Sequence, residues 1–305
     1  MQSNWRLGLI FSLTTAVMWG LLPLSLKGIL PKMDAVTVTW YRFALPAIIA
    51  FIWYGYRSSH SIKHLFSKQC RTLMLLTASC LLVNYILYIL GLSYSTASAA
   101  QITIQLAPLL LLIGSVIIFK ESFSSKQWLG VIAFTVGLLL FFHHRLEEIL
   151  LAQSDYSLGV ILVIFAAIAW AGFSLAQKQL LKFESTNTIL LVLYLIGTVA
   201  FFPFSTPAQI LSLNSTELAL LAFASLNTII AYTCFGLAMT HWEGSRVSAT
   251  ITIAPLLTLA FAELLALWQP DYMPLEPLSW LSWIGAVLVV VGSLIAALAS
   301  SKRLI

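Results

Sequence analysis

Two stretches of this sequence carry polar side chains at helical spacing among residues that are otherwise apolar. The first contributes a serine, two glutamines and a proline at intervals of three, four and three residues, namely Ser98, Gln101, Gln105 and Pro108. The second repeats these intervals with Ser245, Ser248, Thr252 and Pro255. This spacing places each set on one face of a helix, and a proline within a spanning helix frees a backbone carbonyl. Each face therefore offers hydrogen-bonding groups beside a bend.

Polar and aromatic residues in the middle of other apolar stretches extend this predicted binding site. An asparagine both donates and accepts hydrogen bonds, which suits an amino acid or an amide-bearing solute, and an indole deep in a span is well placed to line a cavity. The predicted substrate-binding residues are Trp19, Asn84, Tyr85, Gln101, Gln105, Trp170, Asn227, Tyr232, Ser248 and Thr252. The alternative is structural: hydrogen bonds between helices, which contribute about 1 kcal/mol each, and core packing of the tryptophans.

Four charged residues inside the apolar stretches or at their ends indicate charge recognition or ion coupling. Lys27 and Lys178 either extend towards the membrane interface or form charged lips that attract an anionic group of a solute. Arg42 and Glu263 lie deeper. One hypothesis is that the two residues form a structural ion pair, which needs good geometry to offset the cost of desolvation. The other is that the Glu263 carboxylate carries a proton during antiport.

The sequence contains no pattern typical of bond-making chemistry. It has no P-loop, no G-x-S-x-G and no H-E-x-x-H motif. Its three cysteines lack C-x-x-C spacing, and its 16 Lys and Arg cluster in separate loops instead of one basic stripe that would follow nucleic acid. We therefore predict no enzymatic activity, no metal, no cofactor and no nucleic-acid partner.

Composition indicates an all-α integral membrane protein. Hydrophobic residues make up 60% of the chain and charged residues 9%, against roughly 25% charged in soluble domains. A membrane-crossing helix needs about 20 mostly apolar residues, and ten such segments can be found. We predict transmembrane helices at 7–27, 36–55, 72–92, 96–119, 127–142, 158–179, 187–204, 217–240, 245–267 and 280–299.

Loop charges predict the orientation of these ten helices, because cytoplasmic loops carry an excess of Lys and Arg. If the N-terminus is inside, the inner loops hold twelve basic residues: Arg6, Arg57, Lys63, Lys68, Arg71, Lys120, Lys126, Lys178, Lys182, Arg246, Lys302 and Arg303. The outer side then holds three: Lys27, Lys32 and Arg145. Both termini are therefore predicted to be cytoplasmic.

The second half of the sequence repeats the first, at 1–145 and 158–305. Trp19 matches Trp170 at an offset of 151, and Pro108 matches Pro255 at an offset of 147. Each half holds five predicted spans, an odd number, so the second copy starts on the opposite face of the membrane. The repeat is thus predicted to be inverted, an arrangement that transporters use to expose a midplane site to each side in turn.

The order of several short motifs resembles the EamA-type members of the drug/metabolite transporter superfamily over nearly the whole chain. These motifs are Trp19-Gly20 with Pro23, Trp40-Tyr41-Arg42-Phe43, Ala107-Pro108, Glu121, Gln127-Trp128 and Gly130. The resemblance implies a ten-helix carrier with a central cavity that exports amino acids or other metabolites from bacteria. The second half departs from the pattern, because Trp268 stands where the first half has Glu121.

These observations predict a secondary transporter in the bacterial inner membrane that exports a small metabolite, such as an amino acid, by alternating access. Its partners are a small-molecule substrate and the lipid bilayer, and the sequence leaves homodimerisation open. Two other hypotheses are an intramembrane enzyme acting on a lipid-linked substrate and a membrane receptor subunit that does not transport. Export is implied by the resemblance alone; the residues themselves predict neither the identity of the substrate, nor the direction of transport, nor the coupling ion.

Overall fold

The fold is helical throughout the described part of the chain. The computed structural model describes residues 4–55, 68–119, 124–152, 154–242, 244–269, 276 and 278–298, and these ranges contain no β-strand. Their α-helices are α1 (Trp5–Ile29), α2 (Ala35–Gly55), α3 (Lys68–Tyr94), α4 (Ala97–Thr103), α5 (Leu106–Phe119), α6 (Ser125–Phe141), α7 (Leu146–Leu150), α8 (Asp155–Leu180), α9 (Thr186–Phe201), α10 (Ser215–His241), α11 (Gly244–Ile251), α12 (Ala254–Trp268) and α13 (Trp280–Leu298). Short 3₁₀ turns follow α9 at Phe202–Phe204 and Pro207–Ser212.

Each predicted apolar segment is helical over most of its described residues. Eight helices within the described ranges are long and apolar enough to cross a membrane, and two shorter apolar segments are Ala97–Leu111 and Ser125–Phe141. Several residues used to predict orientation and family lie outside the described residues: Arg57, Lys63, Lys120, Glu121, Lys302 and Arg303.

Two of the predicted continuous helices are in fact broken near their middle. The segment 96–119 is interrupted at residues 104–105, and the segment 245–267 at residues 252–253. The cause in the first is Pro108, which has no N–H to donate to the carbonyl four residues earlier. That carbonyl, of Ile104, instead accepts a shorter-range hydrogen bond from Ala107 N at 2.9 Å. Pro255 stands at the equivalent position, just inside α12.

Helices of the first half pack chiefly against helices of the second half. The most extensive contacts join α3 to α8, α6 to α13 and α1 to α10. Buried side chains fill the space between these pairs, with Phe43, Phe134 and Phe173 among the largest that are fully buried. The two halves consequently share three buried hydrophobic clusters, each built from residues of both halves.

Glycines bring α6 and α13 into backbone contact. A Cβ atom added at Gly285 would lie 2.4 Å from Phe141 N and 2.6 Å from Gly137 O. At Gly130 it would lie 2.7 Å from Gly292 O. Helix backbones approach this closely where small residues, glycine above all, stand at the contact. The glycines of each helix stand seven residues apart in the sequence, a spacing of small residues that lets helices approach closely.

We expect Gly285→Ala to destabilise the protein, because the added methyl group meets backbone atoms that cannot move aside. Overpacking of this kind costs about 1–3 kcal/mol. The matched control is Gly236→Ala in α10, where the new Cβ would meet only Thr186 Cγ2 at an ordinary 3.4 Å. Thermal unfolding in detergent should show a lower midpoint for Gly285→Ala alone, and equal midpoints for the two variants would contradict the packing account.

Candidate functional site

A buried arginine lies among aromatic rings in the interior of the bundle. Arg42 of α2 is 4% exposed, and its Cζ atom lies 4.5 Å from the centre of the Tyr85 ring of α3. The guanidinium also interacts electrostatically with the hydroxyl groups of Tyr88 and Tyr232. Helices α2, α3 and α10 therefore bring one positive charge and three phenols together, and we call Arg42, Tyr85, Tyr88 and Tyr232 the arginine–tyrosine cluster.

The charge of Arg42 is only partly compensated by the protein. The predicted alternative of an ion pair with Glu263 is not found: among the residues that the structure describes, Arg42 and Glu263 form no ion pair. Arg42 Nε has no hydrogen-bond partner. A cation–π contact contributes about 0.5–2 kcal/mol, whereas desolvating an ion costs several kcal/mol. The site thus holds a cation that an anion would stabilise.

Gln101 joins this cluster from the broken helix of the first half. Tyr88 Oη donates to Gln101 Oε1 at 3.1 Å, and both side chains are buried. Sequence reasoning missed Tyr88, although it stands four residues after Asn84 and three after Tyr85, on the same helical face. A search for polar aromatics one turn from the predicted residues would have found it.

The two helix breaks meet each other at the second predicted glutamine. Gln105 Nε2 donates to the main-chain carbonyl of Thr252 at 3.2 Å, and both residues are buried. Each residue lies in or beside its own break, and the repeat offset of 147 relates them (105 + 147 = 252). Thr252 Oγ1 itself donates to Ala249 O. The side chain of Ser248, the remaining predicted residue of this face, lies outside the described part of the chain.

The two predicted tryptophans are half-buried and differ in their neighbours. The Trp19 ring lies 5.8 Å from that of Tyr232, centre to centre, in an edge arrangement. Tyr232 itself is half-buried. Trp170 instead lies 6.4 Å from Phe173 and packs against the apolar cluster around Phe43. Trp19 is thus beside the arginine–tyrosine cluster, and Trp170 is part of a packing layer.

The two predicted asparagines bond to the backbone of helices in the opposite half. Asn84 Nδ2 of α3 donates to Ala166 O of α8 at 2.9 Å. Asn227 Nδ2 of α10 donates to Met18 O of α1 at 2.5 Å, and its Oδ1 has no partner. The amide nitrogens therefore connect helices, as the structural alternative predicted, and the buried Asn227 oxygen has no hydrogen-bond partner within the protein.

The remaining predicted charges lie away from the arginine–tyrosine cluster. Lys27 Nζ donates to Ser93 O at 3.4 Å at the C-terminal end of α3. Lys178 is exposed in the last turn of α8, and Glu263 is half-buried in α12. Among the described residues, no three His, Cys, Asp or Glu side chains are grouped closely enough to hold a metal ion.

A carboxylate that sequence reasoning did not select lies at the end of the bundle that contains Lys27. Glu276 precedes α13, and burial raises the pKa of its carboxyl group. Hydrogen-bonding groups of Ser98 and Thr96 at the start of α4, and the Lys27 ammonium, act in the opposite direction. The Ser98 hydroxyl makes no hydrogen bond of ordinary length, so its interaction with Glu276 is a longer one. The effect of burial on the pKa of Glu276 is therefore larger than the combined effect of these partners.

We expect the contact between Glu276 and α4 to weaken as pH rises. Because the pKa is higher in the docked position than in water, the protonated carboxyl favours docking and ionisation opposes it. Amide hydrogen exchange in the first turn of α4, corrected for intrinsic rates, should therefore be faster at about pH 8 than at about pH 5. Glu276→Gln should remove this difference, whereas Glu217→Gln at the start of α10 should keep it. A pH dependence that survives Glu276→Gln would contradict the assignment.

The sequence model of the EamA-like transporter family matches this chain twice, at residues 6–143 and 157–298. The chain is 36% identical to the inner membrane transporter YhbE of Escherichia coli K12, over 98% of this chain and 93% of that protein. It is 24% identical to a probable amino-acid metabolite efflux pump of the same organism, over 64% of this chain and 66% of the pump.

The fold also resembles that of a solved crystal structure. The two chains superpose with a TM-score of 0.64 at 15% sequence identity, and the match covers 96% of this chain and 97% of the solved one. At that identity the likeness concerns the fold alone.

Proposed function

Because the chain belongs to the EamA-like transporter family, we propose that it is a secondary transporter exporting a small polar metabolite, such as an amino acid, across the inner membrane. The chain is thus a transporter and not an enzyme. The inner membrane is proposed from the likeness to YhbE, and the amino-acid substrate from the likeness to the efflux pump. The arginine–tyrosine cluster, with Gln101 and Trp19 beside it, is the proposed substrate site.

The arrangement of helix contacts supports ten spans in two inverted repeats. In sequence, α8 is the counterpart of α1 and α10 is the counterpart of α3. The contact of α3 with α8 therefore has its equivalent in the contact of α10 with α1. The contact of α6 with α13 joins two helices that are counterparts of each other. A twofold relation between oppositely inserted halves accounts for all three pairs.

The observation that carries the transport mechanism is the hydrogen bond from Gln105 Nε2 to the Thr252 carbonyl. Non-helical backbone is tolerated within a membrane where it is buried in protein or lines a wet cavity. Transporters place substrate sites at such discontinuous helices, where two repeats meet near the midplane. Rocking of the halves about this contact would expose the site first to one face of the membrane and then to the other.

We expect both chain ends to lie on the cytoplasmic side, as the loop charges and an even number of spans require. The measurement uses two kinds of reporter domain, one active only in the cytoplasm and one active only outside it. Each is fused in turn to the N-terminus and to the C-terminus, and its activity is recorded. Ends on opposite faces would contradict the ten-span arrangement while leaving membership of the family intact.

We expect the purified protein in liposomes to move at least one solute from a panel of amino acids and related metabolites with saturable kinetics. Gln105→Leu removes the hydrogen bond between the breaks and should lower the flux about five- to tenfold, the effect of losing roughly 1 kcal/mol. The control is Gln177→Leu, another glutamine of a spanning helix that lies outside the proposed site, with flux near that of the unaltered protein.

Coupling of solute transport to proton movement is tested in the same liposomes, with and without a pH gradient. If Glu263 carries a proton, Glu263→Gln should remove the response of the flux to that gradient. A response that stays complete in Glu263→Gln excludes this role. Tight binding of a solute without any flux would contradict the transport proposal and favour a receptor subunit.

A further inference from the structure

Arg42 is a buried cation with the properties of a residue that binds an anionic ligand. It is 4% exposed, and within the described ranges no Asp or Glu forms an ion pair with it. Its surroundings supply a ring face from Tyr85 and the phenols of Tyr88 and Tyr232. Charges buried in a membrane protein usually face the bundle interior or a wet cavity and mark a solute pathway.

The geometry of the guanidinium identifies the ligand chemistry. Arg42 Nε has no hydrogen-bond partner. A guanidinium offers its N–H groups in a planar fork that matches the two oxygens of a carboxylate. The centre of the Tyr85 ring lies 4.5 Å from Arg42 Cζ and contributes a cation–π contact in addition to any hydrogen bonds of the N–H groups. An amine or another cation would be repelled from the same position.

The residues around Arg42 fit the uncharged parts of such a solute. Tyr88 and Gln101 are already bonded to each other, and an amide oxygen has a second lone pair that can accept from an amino group. Tyr232 of the cluster and Trp19 beside it present aromatic surface. A solute with a carboxylate, a hydrogen-bond donor and an apolar side would therefore be complementary to this site.

We infer that the Arg42 guanidinium binds the carboxylate of the transported solute and so selects carboxylates over their neutral or cationic counterparts. This inference rests on the proposed function. It assigns to Arg42 a role in recognition, in place of a structural ion pair with Glu263. The solute class is a small organic acid, including amino acids in their zwitterionic form.

The test is exchange transport in liposomes with solutes matched in everything except the carboxylate. Suitable pairs are leucine with leucinamide, phenylalanine with phenylalaninamide, and lactate with lactamide. The unaltered protein should prefer the acid in the pair it accepts by at least about tenfold, since a charge-assisted hydrogen bond supports discrimination of that order. Arg42→Gln should lose most of this preference, and Arg42→Lys should keep part of it because the charge remains without the fork.

The control is Arg145→Gln, which removes a positive charge beside Glu148 and Tyr156, outside the cluster. It should keep the full preference. Should Arg42→Gln fail to fold, competition of the matched solutes for uptake by the unaltered protein decides the question. Equal competition by acid and amide, or an undiminished preference in a folded Arg42→Gln variant, overturns the inference. Uptake of amines or amides alone also overturns it but leaves the transport proposal standing, whereas no uptake of any solute contradicts that proposal itself.

Discussion

The structure depends on a constraint that a bilayer imposes on the backbone: every main-chain donor and acceptor within it must be satisfied by the protein. An uninterrupted helix meets that requirement by itself, but a broken one does not. Here the two breaks lie at residues 104–105 and 252–253, and Gln105 of one donates to the Thr252 carbonyl of the other. The first break therefore supplies a donor for a backbone carbonyl of the second, and this hydrogen bond connects the two halves next to the proposed substrate site.

The helices that surround the breaks are positioned by contacts between halves. Glycines allow α6 and α13 to meet backbone to backbone, and the amides of Asn84 and Asn227 connect α3 to α8 and α10 to α1. These connections leave α2, α3, α4 and α10 to present Arg42, the tyrosines and Gln101 to one region. The scaffold and the site thus use different side chains of the same helices, with Asn84 and Tyr85 as adjacent examples.

Much of this could be predicted from the sequence, because length and apolarity define spans and the repeated positions of Trp19, Pro108 and Gly130 reveal the duplication. The close glycine packing also follows from spacing alone. The helix breaks could not be predicted in this way. A proline either bends a helix or interrupts it, and the outcome depends on which neighbouring groups form hydrogen bonds with the backbone groups that it leaves unpaired. The asparagines were ambiguous for a similar reason: spacing places an amide on a helix face without identifying the backbone it bonds to. The surroundings of Arg42 combine α2, α3 and α10, and no local pattern in one helix contains them.

The central claim is that oppositely inserted halves open a shared site to each side of the membrane in turn. Its most direct test replaces Trp19 or Trp170, counterparts in the repeat, with cysteine in a background free of Cys70, Cys80 and Cys234. A membrane-impermeant thiol reagent is then applied to vesicles of either orientation, with and without transported solute. The account predicts that the cysteine at position 19 is labelled from both sides and is protected by solute. Labelling of position 19 from one side only, in every condition, would contradict it.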